Sequence, residues 1–154
     1  EQFNSTVSLV KDLCKMFAEQ RKNEILCKDA TKINYKELLD NFNQGEVIDY
    51  LQVDCEPSKT TYDILLKIPF DKYKFRVITY EHDYYVDLTN SYRDLSRKHL
   101  EENGYKLFVS NVSLNEWAIF EDWWYHPDLV DEEIVEKLKN ISDVTDIREY
   151  MIEK

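Results

Sequence analysis

The sequence predicts an α/β protein with a three-layer, mostly parallel sheet that ends in an antiparallel hairpin. Strand-like apolar runs alternate with helix-like segments, and each connection is long enough to hold a crossover helix. Near the carboxyl end, two β-rich runs are joined by a short polar segment, which is typical of a hairpin. Ligands of such sheets bind beyond the carboxyl ends of the parallel strands, so we expect the functional residues there.

Size and composition restrict the class of protein. With 154 residues, 43% of them hydrophobic and only two glycines, we expect a single domain over residues 1–154. The net charge of −11, without a basic cluster, argues against a nucleic-acid partner. The absence of a long apolar run and of a signal-peptide pattern predicts a cytoplasmic protein without a membrane partner. Three cysteines without paired spacing predict reduced thiols.

The first half of the chain is organised around the run Val47–Asp54, which has the length and apolarity of a buried parallel strand. Helices are predicted on either side of it, over Asn34–Phe42 and Ser58–Leu66, and Phe75–Tyr80 is the next buried strand. Further upstream, the patterns indicate strands over Thr6–Val10 and Glu24–Cys27 and a helix over Asp12–Gln20.

The second half begins with an amphipathic helix between Ser91, which can cap it, and Gly104, which can end it. Tyr105–Val112 and Trp117–Tyr125 form the predicted hairpin. Asp131–Lys139 is helical in pattern, and we treat residues 131–154 as a helical extension.

Acidic residues follow the predicted strands, at Asp29, Asp54, Glu56 and Glu81. Carboxylates that converge at one edge can act as a general base or bind the hydroxyls of a ligand. The alternative is a purely structural role, in which the acids cap the following helices and solvate the surface. His82 follows Glu81 directly, and a histidine held beside a carboxylate suits a neutral base. A divalent metal would suit this chemistry, but the spacing matches no metal motif, so we predict no metal ligands.

Three segments carry a family resemblance: IDYLQVDCEPSKTTYDILLKIPFDKYKFRVITYEHDYY, SYRDLSRKHLEENGYKLFV and FEDWWYHPDLV. Together they resemble the later two-thirds of FkbM-type S-adenosylmethionine-dependent methyltransferases, particularly those of phages and marine microbes, over Leu26 to Val130. The resemblance implies a doubly wound, Rossmann-like methyltransferase sheet. It also implies S-adenosylmethionine as cofactor and O-methylation of a sugar or another small hydroxyl acceptor.

The resemblance assigns roles to single positions. The Asp29-Ala30 turn resembles the one that contacts the adenine, and Asp12 resembles the acid that holds the ribose. The turn from Asp54 to Glu56 resembles the one beside the sulfonium and the acceptor, although Pro57 stands where many relatives have glycine. The implied cofactor-binding residues are Asp12, Asp29, Ala30 and Asp54, and the implied catalytic residues are Asp54, Glu56, Glu81 and His82. Asp54 or His82 would be the base, with Glu56 and Glu81 orienting the acceptor or a metal.

Nothing before Thr6 supplies the first strand and glycine-rich turn of this family. We therefore expect either an N-terminally truncated methyltransferase domain or one that has lost its cofactor site. A sheet without its neighbouring strand would present a free edge, which predicts a homodimer.

Two other functions compete with methyl transfer. A non-catalytic α/β binding or interaction module would explain the missing glycine-rich turn and the aromatic run Trp123–Tyr125. A metal-dependent hydrolase or nuclease built on Asp54 and Glu56 is a weaker alternative, because the charge of the chain opposes DNA.

Overall fold

A computed structural model of the chain describes residues 26, 28–42, 45–86, 88–89, 91–115, 117–138 and 145–146. The chain divides into two compact units, Glu1–Ile33 and Asn34–Lys154, and each is described by itself. The predictions for Thr6–Val10 and Asp12–Gln20 lie outside the described residues, as does the prediction for Glu24–Cys27 except at Leu26, which is in no strand.

The first unit contains a short 3₁₀ helix, Ala30–Lys32, among its described residues. Asp29 caps this helix, because its Oδ1 accepts hydrogen bonds from the backbone N–H of Thr31 at 3.0 Å and from the Thr31 hydroxyl at 2.6 Å. The ammonium group of Lys32 lies 3.1 Å from the other carboxylate oxygen of Asp29.

The second unit is an α/β domain with a mixed sheet. Its elements are α1 (Tyr35–Phe42), β1 (Val47–Val53), α2 (Ser58–Leu65), β2 (Lys74–Glu81), α3 (Tyr92–Glu102), β3 (Lys106–Ser113), β4 (Ile119–Tyr125), α4 (Glu132–Leu138) and β5 (Thr145–Asp146). The strand order is β1-β2-β4-β3-β5. The pairs β1–β2 and β3–β5 are parallel, and the pairs β2–β4 and β4–β3 are antiparallel. The α/β class and the antiparallel hairpin are therefore confirmed. Among the described strands, β1, β2, β3 and β5 run in one direction, and the sheet is mixed because β4, antiparallel to both of its neighbours, lies between β2 and β3.

Local sequence signals account for the ends of two helices. The side chain of Asn34 accepts the backbone N–H of Glu37 at 3.2 Å, which caps α1 as predicted. Gly104 follows α3 with a φ of 87°, a left-handed conformation that glycine adopts without steric cost.

The helices α2 and α3 pack against each other, and they contact β1 and β3 respectively, so they cover one face of the sheet. On that face lie Val53, Ile78 and Tyr80, which are buried. The other face is partly exposed, with Tyr50 and Val77 open to solvent. The prediction that β1 and β2 are buried on both faces is therefore wrong for the described residues. The helices α2 and α3 cover only one face of the sheet, so apolar side chains on the other face of β1 and β2 remain exposed.

The carboxyl-terminal region departs from the predicted helical extension. The helix α4 lies within the predicted range, but Thr145–Asp146 pairs in parallel with Val112 and Ser113 of β3. The free edge of β3 supplies backbone partners there. In the described part of the chain, no helix has the length and apolarity that a membrane span requires.

Candidate functional site

Two parallel strands bring acidic residues together at their carboxyl ends. Val53 of β1 pairs with Tyr80 of β2, so the next residues, Asp54 and Glu81, stand side by side and their side chains hydrogen-bond. We call Asp54, Glu56, Glu81 and Asp83 the acidic rim. The predicted convergence of Asp54, Glu56 and Glu81 at one sheet edge is thus present in the structure.

The acidic rim carries more negative charge than its surroundings stabilise. Burial raises the pKa of Glu81 to about 9, and the carboxyls of Asp54 and Asp83 act in the same direction. Burial also raises the pKa of Asp83, supported by the charges of Glu56 and Asp54 and opposed by a hydrogen bond with Glu81. Glu81 therefore holds a proton at neutral pH, and the rim would release it when a positive group binds.

Asp83 was not among the predicted site residues, yet it completes the acidic rim. Its side chain is buried, and its backbone has a φ of 49°, a left-handed conformation that aspartate adopts more readily than most residues. This conformation turns the chain directly after β2, and the backbone N–H of Asp83 donates to the carbonyl of Phe120 at 3.1 Å.

A further carboxyl reaches the rim from β4. Glu121 pairs with Glu81 across the strands and is buried. Burial raises its pKa, and the charge of Asp54 adds to this effect, while a hydrogen bond donated by the indole Nε1 of Trp123 opposes it. The carboxyl of Glu121 thus extends the cluster of acidic side chains to a third strand.

An open cleft of about 430 Å³ lies beside the acidic rim. Its walls are formed by Glu56, Pro57, Ser58, Asp83 and Val86. A volume of this order is typical of small-molecule sites. Asp83 belongs to both the cleft and the rim, so a molecule in the cleft would lie next to the carboxyls.

A hydrogen-bond pair fixes the turn that carries Asp54 and Glu56. The hydroxyl of Thr61, in α2, donates to the carbonyl of Cys55 and accepts the Cys55 backbone N–H at 3.2 Å. Thr61 is fully buried, which makes this link a fixed part of the fold. Burial raises the pKa of the Cys55 thiol, as do the charges of Asp54 and Glu81, so this cysteine stays protonated.

His82 lies beneath the rim rather than on it. Its side chain has no exposed surface. Its Nδ1 accepts the backbone N–H of Tyr84 at 3.2 Å, so the proton of the neutral ring is on Nε2, which lies 3.6 Å from Oδ1 of Asp122. The prediction of His82 as a base for a bound acceptor does not fit this burial, because both ring nitrogens face protein groups. His82 is instead buried, between Glu81 and Asp83 in the chain.

Asp122 joins His82 to a buried polar network. Arg97 donates to both carboxylate oxygens of Asp122, at 2.8 and 2.9 Å, and the backbone N–H of Asn111 donates to one of them at 2.8 Å. Burial opposes ionisation of Asp122, but His82 and Arg97 outweigh it and hold the pKa of Asp122 at about 2. This carboxylate is therefore charged and fully paired, unlike those of the acidic rim.

The implied cofactor residues upstream lie in the first unit or outside the description. Asp29 caps the 3₁₀ helix and Ala30 is its first residue, and the hydrogen bond with the Thr31 side chain is the main cause that lowers the pKa of Asp29. Asp12 lies outside the described residues. In the described ranges, no group of three or more His, Cys, Asp or Glu side chains is arranged to hold a metal ion.

Comparison of the chain with known protein families, with curated proteins and with solved structures finds no match. The function must therefore be argued from the site itself.

Three residues of the site and its support were missed by sequence reasoning, and each left a signal. Glu121 and Asp122 are adjacent acids inside an otherwise aromatic strand, where charged residues are rare unless they are paired or functional. Asp83 follows Glu81 and His82 directly at the acidic end of β2, and this position was its signal, although it was not included among the predicted site residues.

Proposed function

We propose that this protein is an S-adenosylmethionine-dependent O-methyltransferase, or the larger part of one, acting on a small hydroxyl acceptor. One observation carries the proposal. The carboxyls of Asp54 and Glu81 stand side by side at the carboxyl ends of two parallel strands, beside an open cleft. Clustered carboxyls that cannot all ionise fit a ligand with a positive charge.

The residues at the rim fit the charge of the proposed cofactor. When bound, S-adenosylmethionine supplies an electrophilic methyl group on a positively charged sulfur. Asp54, Glu81 and Asp83 would hold such a charge, and aromatic faces would add to its stabilisation. Tyr84 is a weak candidate for such a face, because the guanidinium of Arg93 already lies 3.8 Å from the centre of its ring.

Asp54 is our candidate for the general base. Its side chain is exposed at the rim, whereas His82 is buried, so Asp54 can reach the hydroxyl of an acceptor. It would take the hydroxyl proton as the oxygen becomes nucleophilic, a contribution of about 10²- to 10⁴-fold in rate. Glu56 borders the cleft and would orient the acceptor by accepting a hydrogen bond.

The sheet supports the finer prediction of a doubly wound, Rossmann-like methyltransferase fold, which remains part of the proposal. A parallel pair, β1–β2, carries the acidic rim, and the hairpin of β3 and β4 follows it. Such sheets bind their ligands at the carboxyl ends of the parallel strands, where the cleft lies.

Isothermal titration calorimetry with two cofactor analogues tests the proposal. S-adenosylhomocysteine has a neutral sulfur, whereas sinefungin has a positive amine in the corresponding position. We expect both to bind, with sinefungin preferred by about threefold to tenfold, because several rim carboxyls favour its charge. The preference should become smaller in Asp54→Asn, because one of these carboxyls is removed.

The matched control is Asp63→Asn, which removes an exposed carboxylate of α2 that pairs with Lys59 at 2.6 Å. This variant should retain the preference for sinefungin. Failure of the unmodified chain to bind either analogue would refute the cofactor proposal and favour the non-catalytic binding module. Binding of both analogues with equal affinity in the unmodified chain would refute the role of the acidic rim.

A further inference from the structure

The chain turns sharply at Asp83, directly after β2. Asp83 has a φ of 49°, a conformation that a residue other than glycine keeps only where its surroundings hold it. Its side chain is buried, and it belongs to both the acidic rim and the wall of the cleft. The place of this carboxyl at the site therefore depends on the contacts that fix the turn.

His82 bridges this turn. Its ring nitrogen Nδ1 accepts the backbone N–H of Tyr84 at 3.2 Å, so the bond joins the two neighbours of Asp83. Aspartate and asparagine side chains fix turns by the same bond to the backbone two residues on. The backbone N–H groups of His82 and Asp83 both donate to the carbonyl of Phe120, at 2.7 and 3.1 Å, which ties the start of the turn to β4.

The ring of His82 is itself held in place. It has no exposed surface, and its Nε2 lies 3.6 Å from Oδ1 of Asp122. Asp122 is fixed in turn by its two hydrogen bonds from Arg97. On the far side of the turn, the guanidinium of Arg93 lies 3.8 Å from the centre of the Tyr84 ring. Both α3 and β4 therefore support the turn.

A second buried histidine makes the same bond at the opposite end of the sheet. Nδ1 of His126 accepts the backbone N–H of Asp128 at 3.3 Å, two residues further on. His126 directly follows β4, whose carboxyl end pairs near the start of β2. The bond spans Pro127 there, whereas the bond of His82 spans a carboxyl of the acidic rim. The two bonds thus share a geometry and differ in the residue that they place.

We propose that His82 is a positioning residue of the candidate site: its Nδ1 holds the left-handed turn that places the carboxyl of Asp83 at the cleft. This inference rests on the proposed function for the charge of the ligand that Asp83 meets. It assigns His82 a role through Asp83, in place of the predicted role as a base. The ring must be neutral with its proton on Nε2, because only an unprotonated Nδ1 can accept the Tyr84 N–H.

Two substitutions separate the two ring nitrogens of His82. In His82→Asn, the side-chain oxygen can replace Nδ1 as acceptor for the Tyr84 N–H, but the contact with Asp122 is lost. In His82→Gln, the longer amide can still donate to Asp122, but the acceptor for Tyr84 is lost. Both variants should be less stable than the unmodified chain, and only His82→Gln should release the turn.

NMR of the isotope-labelled full chain tests the turn without a ligand. Proton–nitrogen correlations within the imidazole of His82 should show Nδ1 unprotonated and Nε2 protonated at neutral pH. The Tyr84 amide should exchange slowly with solvent in the unmodified chain and in His82→Asn. Its exchange should be faster by about tenfold or more in His82→Gln. A proton on Nδ1 would overturn the proposal, as would equal exchange of the Tyr84 amide in the two variants.

Calorimetry with S-adenosylhomocysteine and sinefungin tests the effect on the site. Asp83→Asn should reduce the preference for sinefungin by about twofold to fivefold, which measures the contribution of this carboxyl. His82→Gln should reduce the preference as much, and His82→Asn should retain it. The double variant of Asp83→Asn and His82→Gln should lose no more than either single variant, because His82 acts through Asp83. Additive losses in the double variant would overturn the proposal, as would an unchanged preference in Asp83→Asn.

His126→Gln is the matched control, because it removes the same bond from a buried histidine at the other end of the sheet. It should lower the melting temperature, as His82→Gln does, and leave the preference for sinefungin unchanged. An equal loss of preference in His126→Gln would show that the effect follows from lowered stability, and it would overturn the positioning role of His82.

The two proposals can fail separately. If neither analogue binds the unmodified chain, the proposed function is refuted, and the NMR measurements still decide whether His82 holds the turn. If sinefungin is preferred and His82→Gln keeps the whole preference, the positioning role is refuted and the proposed function stands.

Discussion

Arg97 holds Asp122 by two hydrogen bonds, at 2.8 and 2.9 Å, and the carboxylate of Asp122 has no exposed surface. The other side of this carboxylate faces Nε2 of His82 at 3.6 Å. His82 lies between Glu81 and Asp83 in the chain. The buried pair of Arg97 and Asp122 is therefore adjacent, through His82, to two members of the acidic rim. Neither Arg97 nor Asp122 lines the cleft.

Removal of Arg97 should destabilise the protein strongly. Arg97→Met leaves Asp122 as a buried carboxylate without its main partner, and we expect a loss of about 3 kcal/mol or more in the free energy of unfolding. Urea denaturation measures this loss. The matched control is Lys59→Met, which breaks an exposed pair with Asp63 and should cost about 0.5 kcal/mol or less. Similar losses in the two variants would contradict the role of the buried pair.

The contribution of Asp122 to stability should vanish in acid. Its pKa in the folded protein, about 2, is below its ordinary value of 3.8, so the contribution is complete above about pH 4 and is lost as the pH falls towards 2. The free energy of unfolding should therefore differ between the unmodified chain and Asp122→Asn at pH 5 to 7. This difference should shrink by about 2 kcal/mol between pH 4 and pH 2. A difference that is constant across this range would refute the prediction.

Replacement of Glu81 should stabilise the protein at neutral and higher pH. Its raised pKa means that the folded state retains a proton that the unfolded chain releases above about pH 4.5, so folding is disfavoured increasingly as the pH rises towards 9. Glu81→Gln removes this cost, and its melting temperature should exceed that of the unmodified chain by a margin that grows with pH. Glu37→Gln, an exposed change in α1, is the control. An equal change in melting temperature at each pH for Glu81→Gln and Glu37→Gln would contradict the unfavourable ionisation of Glu81 in the folded protein.

The edge of the sheet at β1 should promote self-association. Among the described strands, β1 pairs only with β2, and its residues Val47 and Tyr50 are exposed. Sedimentation velocity should show a mass that increases with protein concentration. Added salt should strengthen the association, because it screens the repulsion between chains that each carry a charge of −11. A single monomeric species at high concentration and high salt would exclude this dimer.

The order and type of the elements from Asn34 to Leu138 could be predicted from the sequence because local signals specify them. Asn34 caps α1, Gly104 ends the turn after α3, and the polar segment between two β-rich runs predicts the β3–β4 hairpin. The acids after β1 and β2 were also predicted to meet, because the carboxyl ends of parallel strands share one edge. These features depend on residues that are close in sequence or on the direction of neighbouring strands.

The tertiary structure decided which acidic side chains are buried with a partner. It also decided whether the side chain of His82 can reach a ligand at the rim. Asp54 is exposed and Asp122 is buried with Arg97, and their sequence neighbourhoods do not distinguish these environments. His82 was predicted at the rim, but the side chain points beneath it, because pairing with β4 sets the direction of each side chain at the end of β2. Charge state depends on burial and on partners distant in sequence, so only the assembled sheet determines it.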